Sequence, residues 1–314
     1  MALSVGVDIG GTKIAAGVVD EAGTILAVEK EPTPASDPVA IADAVGAAVD
    51  RLRREHDVSA VGIGAAGFID VDRSTVLFAP NISWTGEPLG EHVTQRVRLP
   101  VVVENDANAA AWGEFRFGAG AEVDDLVLVT VGTGVGGGLV MAGRLQRGAF
   151  GLAGEVGHLR VVPEGLRCGC GRYGCWEQYA SGRALVREAR GQILSDLPEA
   201  QPLAALVGGD VDLLTGPMIT ALAQDGDPLC RELLGEIGRW LGEGIASLAA
   251  VLDPAVVVLG GGVAAAGPLL LEPAQHALTQ TLPAAMHRTA PELRLAVLGN
   301  EGGMIGAADL ARQR

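Results

Sequence analysis

The sequence predicts an α/β protein of two similarly built lobes with a cleft between them, and three observations carry that expectation. At 314 residues the chain exceeds the ~250–300 at which a single hydrophobic core usually divides. Short apolar strands alternate with segments of helical periodicity. A buried strand running straight into a glycine-rich turn occurs in both halves, at DIGGTK, GTGVGGG and LGGGV.

The elements follow in order. Leu3–Asp8 is a short apolar strand ending on an acid, with Gly10-Gly11-Thr12-Lys13 after it. Ile14–Val19 and Thr24–Lys30 read as strands, and Asp20–Gly23 supplies the hairpin turn between them. Over Pro38–His56 the residues Val39, Ile41, Ala42, Val45, Ala48, Val49 and Leu52 repeat at helical spacing. Val58–Gly64 and Val101–Val103 are further buried strands, and Asn105–Gly113 opens a helix from residue types preferred at an N-cap. In the second half Leu126–Val131 runs into GTGVGGG, and Leu139–Met141 pairs back after it. Pro228–Leu252 is a long amphipathic helix, and Ala255–Leu259 is a strand ending at Gly260-Gly261-Gly262. Leu293–Leu298 is the last strand, and Met304–Arg312 closes as a helix.

Composition narrows the function. A net charge of −15 repels a phosphate backbone, so nucleic acid is not an expected partner. The first residues, MALSVGVDIGG, carry no basic region and reach Asp8 before an apolar segment forms, unlike a secretory leader. Leu126–Gly143 and Pro254–Leu271 are uncharged over eighteen residues, but six glycines in the first and four with two prolines in the second argue against membrane helices. The expectation is a cytoplasmic protein, where thiols stay reduced.

Three motif groups carry chemistry. Glycine lets a backbone approach a phosphate closely enough for several N–H groups to converge on it. The glycine spacings match neither the P-loop nor the GxGxxG fingerprint, so a different nucleotide fold is needed. In VVVENDANAAAW a strand ends where a helix begins, and Asp106 there reads either as a proton acceptor for a substrate hydroxyl or, with Asn105, as a plain helix cap. His158, Cys168, Cys170 and Cys175 form H-x9-C-x-C-x4-C, which suggests a closed, structural Cys3His zinc site, the alternative being reduced cysteines in a glycine-rich loop. Glu155 and Glu177 flank that loop as candidate acceptors for sugar hydroxyls, and Cys230 reads as a small buried hydrophobe.

Taken together, DIGGTK, PNISW, ENDAN, GTGVGGG, GEVGH, CGCGRYGCWEQYASG and LGGGV stand in the order that resembles the ROK family of bacterial sugar kinases, and within it the ATP-dependent glucokinases. The likeness runs from about Val5 to Leu310 with no departure at a motif position. It implies a two-lobed actin/hexokinase-like (ribonuclease H-like) α/β fold with an interlobe active-site cleft and a zinc-binding loop. The implied lobes are residues 1–118 with the C-terminal helix 301–314, and 119–300 with the zinc loop and a dimer surface.

The resemblance also implies the roles. Asp106 is the general base for transfer of the ATP γ-phosphate to the 6-hydroxyl of glucose. Asn81, Asn105, Asp106, Glu155, His158 and Glu177 contact the sugar. Asp8 lies near Mg2+, while Gly10, Gly11, Thr12, Lys13, Gly132, Thr133 and Gly134 serve the phosphates and Gly260, Gly261 and Gly262 the adenosine. His158, Cys168, Cys170 and Cys175 hold Zn2+, with one ring nitrogen of His158 on the metal and the other towards sugar. A homodimer is implied, with a tetramer as the alternative. The competing readings are a family kinase for N-acetylmannosamine, N-acetylglucosamine, fructose or mannose, and a non-catalytic sugar sensor. The family's DNA-binding repressors carry a helix-turn-helix ahead of the kinase-like part, for which a first phosphate strand within eight residues of Met1 is expected to leave no room. An actin- or heat-shock-type ATPase lacks a sugar-contacting zinc loop.

Overall fold

The structure, a computed structural model, describes residues 2–79 and 82–313. Asn81, expected among the sugar contacts, lies outside the described residues.

In chain order the protein begins with β1 (Leu3–Ile9), β2 (Lys13–Val19), β3 (Ile25–Pro32), α1 (Pro38–Leu52) and β4 (Val58–Ala65). Three short strands follow, β5 (Phe68–Ile69), β6 (Val76–Phe78) and β7 (Thr85–Glu87), then α2 (Leu89–Val97), β8 (Val101–Asn105) and α3 (Asp106–Phe117). Next come β9 (Leu126–Val131), β10 (Val135–Met141), β11 (Arg144–Leu145), α4 (Glu177–Ala180), α5 (Gly182–Leu194), α6 (Gln201–Leu206) and α7 (Gly216–Gln224). The chain ends with α8 (Pro228–Leu252), β12 (Val256–Gly260), α9 (Pro268–Thr281), β13 (Glu292–Leu295) and α10 (Gly302–Arg312). Two compact units result: unit 1 is Met1–Leu128, Gly137–Gly154 and Val297–Arg314, and unit 2 is Val129–Gly136 and Glu155–Ala296.

Unit 1 is built on a five-stranded sheet in the order β3-β2-β1-β4-β8. The β1–β2 and β2–β3 pairs are antiparallel, and β1–β4 and β4–β8 are parallel. Alternation along β1 sorts its two faces. Val5, Val7 and Ile9 enter the large core that includes Ile41, Val45 and Val49 of α1. The residues between them face α10: Ser4 Oγ donates to Ala308 O at 2.8 Å, and Asp8 Oδ1 would lie 3.9 Å from a Cβ at Gly303. Gly6 and Gly62 make this approach possible, because a Cβ at Gly62 would stand 1.8 Å from Ala307 O and one at Gly6 would stand 1.9 Å from Met304 O. Gly62→Ala is therefore expected to cost about 1–3 kcal/mol by overpacking, read as a clear fall in Tm. A wild-type Tm would show that α10 can move away without loss. The short strands β5, β6 and β7 form a separate antiparallel sheet in the same unit.

In unit 2 the strands run β10-β9-β12-β13, with β12 and β13 parallel. The strands β9 and β10 continue into unit 1, where β10 pairs with β11. Helix α8 spans the residues its periodicity predicts, starting from an Asp227 cap that accepts from Cys230 N at 2.8 Å and ending at Asp253 in the left-handed region. Its apolar stripe, Leu234, Ile237, Leu241 and Ile245, is fully or nearly fully buried, and Cys230 is buried with it as expected.

Local differences from the sequence reading have local causes. Helix α1 stops at Leu52 rather than His56, where Arg53 N turns to both Val49 O and Arg51 O. The strand β8 extends two residues past Val103, so that Asn105 caps α3 and Asp106 is its first residue. The final strand ends at Leu295 rather than Leu298, the last ladder bond being Ala296 N to Leu259 O at 2.9 Å. The pairing strand β10 begins at Val135, not Leu139, so the glycine turn is confined to Gly132–Gly134. The remaining glycines of the motif are strand residues, and a Cβ at Gly138 would meet that of Ala111 at 2.4 Å.

Candidate functional site

Unit 1 contributes a pair of carboxylates. Asp8 sits near the end of β1, in register with Gly64 of the parallel strand β4, and Gly64 in turn lies against Asp106 Cα. The turn Gly10–Thr12 joins β1 to β2 after Ile9, closed by Gly10 N donating to Lys13 O at 3.0 Å. Burial, and then the charge of Asp106, push Asp8 up to about 6, while Lys13 draws it down. Burial also raises Asp106, against the backbone N–H groups of Ala107 and Asp106 and the Asn105 side chain, which favour its charged form. Two raised carboxylates at the carboxyl ends of parallel strands suit a hard cation and a proton acceptor.

Of the two capping candidates at the start of α3, the structure uses one. Asn105 performs the capping, its Oδ1 accepting from Asn108 N at 3.0 Å, while its Nδ2 donates to Gly67 O at 3.1 Å. Asp106 accepts from Ala107 N at 2.9 Å through Oδ1, and its carboxylate is not the cap. Glu104, not singled out from the sequence, is 1% exposed and joins this segment to Arg147 and Arg73. The signal was present, since a charged residue in an otherwise apolar strand needs a partner.

Unit 2 gathers the four metal candidates. The donor atoms of His158, Cys168, Cys170 and Cys175 all lie within 4.8 Å of one another. Cys168 Sγ is 3.7 Å from His158 Nδ1, and Cys170 Sγ is 3.6 Å from Cys175 Sγ. A tetrahedral ion with metal–sulfur bonds of about 2.3 Å has edges of about 3.8 Å, so the set fits such an ion. Nδ1 is the nitrogen facing the thiols, and Nε2 is turned to Glu155 Oε2 at 3.9 Å. Burial and the Glu177 carboxylate push the Cys168 thiol well up, and its Sγ donates to Glu177 Oε1 at 2.9 Å. A bound divalent ion reverses that tendency by taking the thiolate. The loop is seated by Trp176, whose indole N–H donates to Trp240 O of α8 at 2.7 Å.

Glu177 also reaches the Gly132–Gly134 turn of unit 2. Its Oε2 would lie 2.6 Å from a Cβ at Gly134, so a side chain there would push the carboxylate aside. Beside it is a cavity of about 830 Å³ lined by Gly132, Thr133, Gly182, Arg183, Thr220 and Gly262 among others. Gly132, Thr133 and Gly262 are sequence candidates that the fold brings together. Gly260 ends β12, and Gly261 turns the chain at φ +84 against the Val131 backbone, so these two shape the cavity without lining it. Gly182, Arg183 and Thr220 were missed. Ser181–Gly182 carried a signal as a helix start, confirmed by Ser181 Oγ accepting from Ala184 N, whereas nothing local marks Thr220.

The comparisons agree across the whole length. The ROK family model matches residues 4–314. Glucokinase of Streptomyces coelicolor is 51% identical over 313 residues, which is 100% of this chain and 98% of that protein. N-acetylmannosamine kinase of Escherichia coli O1:K1 is 37% identical over 98% of this chain and 97% of its own. Among solved structures, a ROK family glucokinase from Streptomyces griseus in complex with glucose and AMPPNP superposes with a TM-score of 0.91 at 53% identity, covering 100% of both chains.

Proposed function

The chain belongs to the ROK family, and on that premise we propose that it is an ATP-dependent glucokinase, forming glucose 6-phosphate and ADP. The observation that carries this reading is the end-to-end likeness to a glucokinase solved with sugar and nucleotide analogue together. The position of Asp106, relieved of capping by Asn105, supports the chemistry.

In this reading Asp106 takes the proton of the glucose 6-hydroxyl as its oxygen attacks the γ-phosphorus. The bond from that phosphorus to the β,γ-bridging oxygen breaks, and ADP leaves. Asn105, Glu155, His158 and Glu177 orient the sugar hydroxyls, and Asn81 completes the set. The backbone at Gly10–Lys13 and Gly132–Gly134 offers N–H groups to phosphate oxygens, and Gly260–Gly262 borders the adenosine. Asp8 is the residue to hold Mg2+, which when bound neutralises charge on the phosphates. His158, Cys168, Cys170 and Cys175 hold Zn2+, leaving Nε2 of His158 for the sugar.

The functional lobes are proposed as 1–118 with 301–314, and 119–300. A homodimer working in the cytoplasm completes the reading. No helix among the described residues is long and apolar enough to cross a membrane.

A panel of hexoses and N-acetylhexosamines with ATP and Mg2+ tests the assignment. Glucose is expected to lead in kcat/KM by at least about tenfold, the discrimination a few well-placed hydrogen bonds supply. A lead for N-acetylmannosamine would move the chain to its other relatives. No transfer to any sugar would end the kinase reading.

A further inference from the structure

Glu104 is among the most deeply buried charges in unit 1, and it lies two residues before the proposed base. Its Oε1 accepts from the backbone N–H of Asn105 at 3.0 Å and from Asn108 Nδ2 at 3.1 Å, so it holds the first turn of α3 directly. Arg73 Nε stands 3.2 Å from Oε2. Arg147, itself with only 10% of its side chain exposed, places Nε 2.9 Å from Oε2 and 3.1 Å from Oε1. The rest of its guanidinium is equally committed: Nη1 donates to Val71 O at 2.9 Å and Nη2 to Asp70 O at 2.8 Å. Arg147 also opens the loop that leads to Glu155, and its carbonyl accepts from Ala153 N at 3.0 Å to close that loop on itself.

We propose that Arg147 is a positioning residue for catalysis, acting through the buried carboxylate of Glu104 to hold the α3 N-terminus, and with it Asp106, in the reactive arrangement. The proposal rests on the base assignment above. A carboxylate this deeply buried cannot be left unpaired at low cost, so loss of the guanidinium forces Glu104 to seek water or another donor. Asn105 N and Asn108 Nδ2 then lose their acceptor, and the turn carrying Asp106 shifts. Shifts of about 1 Å at a reacting group cost up to about 100-fold in rate. Lysine cannot substitute fully, because a single ammonium lacks the planar fork that meets one carboxylate and two carbonyls together.

The test compares Arg147→Gln, Arg147→Lys, Glu104→Gln and the Arg147→Gln/Glu104→Gln double variant. For each, kcat and KM for ATP are measured together with the calorimetric Kd for glucose and the Tm. In Arg147→Gln, kcat per folded protein is expected to fall about 10–100-fold with the KM for ATP unchanged. Arg147→Lys should recover part of that loss, and the double variant should be no slower than Arg147→Gln alone, because the two residues act as one unit. An unchanged kcat in Arg147→Gln, or losses that multiply in the double variant, would overturn the proposal. If Arg147→Gln does not fold, the double variant decides, since it leaves no unpaired buried charge. A wild-type kcat there overturns the proposal, and a reduced kcat with unchanged KM for ATP upholds it. The wild-type rate in the same assay separates failure of this proposal from failure of the kinase reading itself.

Discussion

Asp106→Asn is expected to bind glucose within a fewfold of wild type and to transfer phosphate about 10²–10⁴-fold more slowly. Asparagine preserves the size of the side chain and can accept from Ala107 N as Asp106 does, so the α3 terminus has no reason to rearrange. What it cannot do is take a proton from the 6-hydroxyl. The cap does not depend on this residue, because Asn105 supplies it, and a stability loss should be small. The check is kcat from a coupled ADP assay beside a calorimetric glucose titration and a melting curve. Loss of glucose binding together with activity would make Asp106 a binding residue first. Retained activity would move the base elsewhere.

The second large effect concerns the metal loop. Cys170→Ser is expected to lose bound zinc and to weaken glucose binding at least about tenfold, in step with each other. The geometry gives the reason. Nδ1 of His158 faces the thiols and Nε2 faces Glu155, so the ion that fixes one nitrogen orients the other. Glu177 touches Cys168 on one side and occupies the space beside Gly134 on the other, so a loosened loop disturbs both the proposed sugar contacts and the Gly132–Gly134 turn. Elemental analysis and glucose titration on the same preparation provide the check. Zinc lost with glucose affinity intact would reduce the cysteines to scaffolding. A strong chelator applied to the wild type should reproduce the variant and added zinc should reverse it, which separates metal loss from damage by the substitution.

Much of this was legible in the chain order. Strand-then-glycine units, the periodicity of Pro228–Leu252 and the H-x9-C-x-C-x4-C spacing are local patterns, and their structural counterparts formed with small shifts at the ends. The four metal candidates converge because the knuckle is short. The three cysteines are close in the chain, with Gly171 and Gly174 turning it between them, and the antiparallel bridge between Arg160 and Cys175 brings His158 alongside.

What the sequence alone determined is therefore the principal strands of both large sheets, the helices α1, α3, α8 and α10, the family they belong to, and the identity of the groups able to do chemistry, while β5–β7, α2, α4–α7 and α9 went unread. Tertiary structure decided which of those groups are free to act. Asn105 and Asp106 are adjacent and each could cap α3, and only the two extra residues of β8 assign the cap to Asn105. Glu104 finds Arg147 forty-three residues away, and Gly132 and Thr133 share a cavity with Arg183 and Thr220. Such pairings are invisible to periodicity and spacing, because a buried charge or a cavity wall is completed by whichever distant segment the packing of the core brings within a few ångströms.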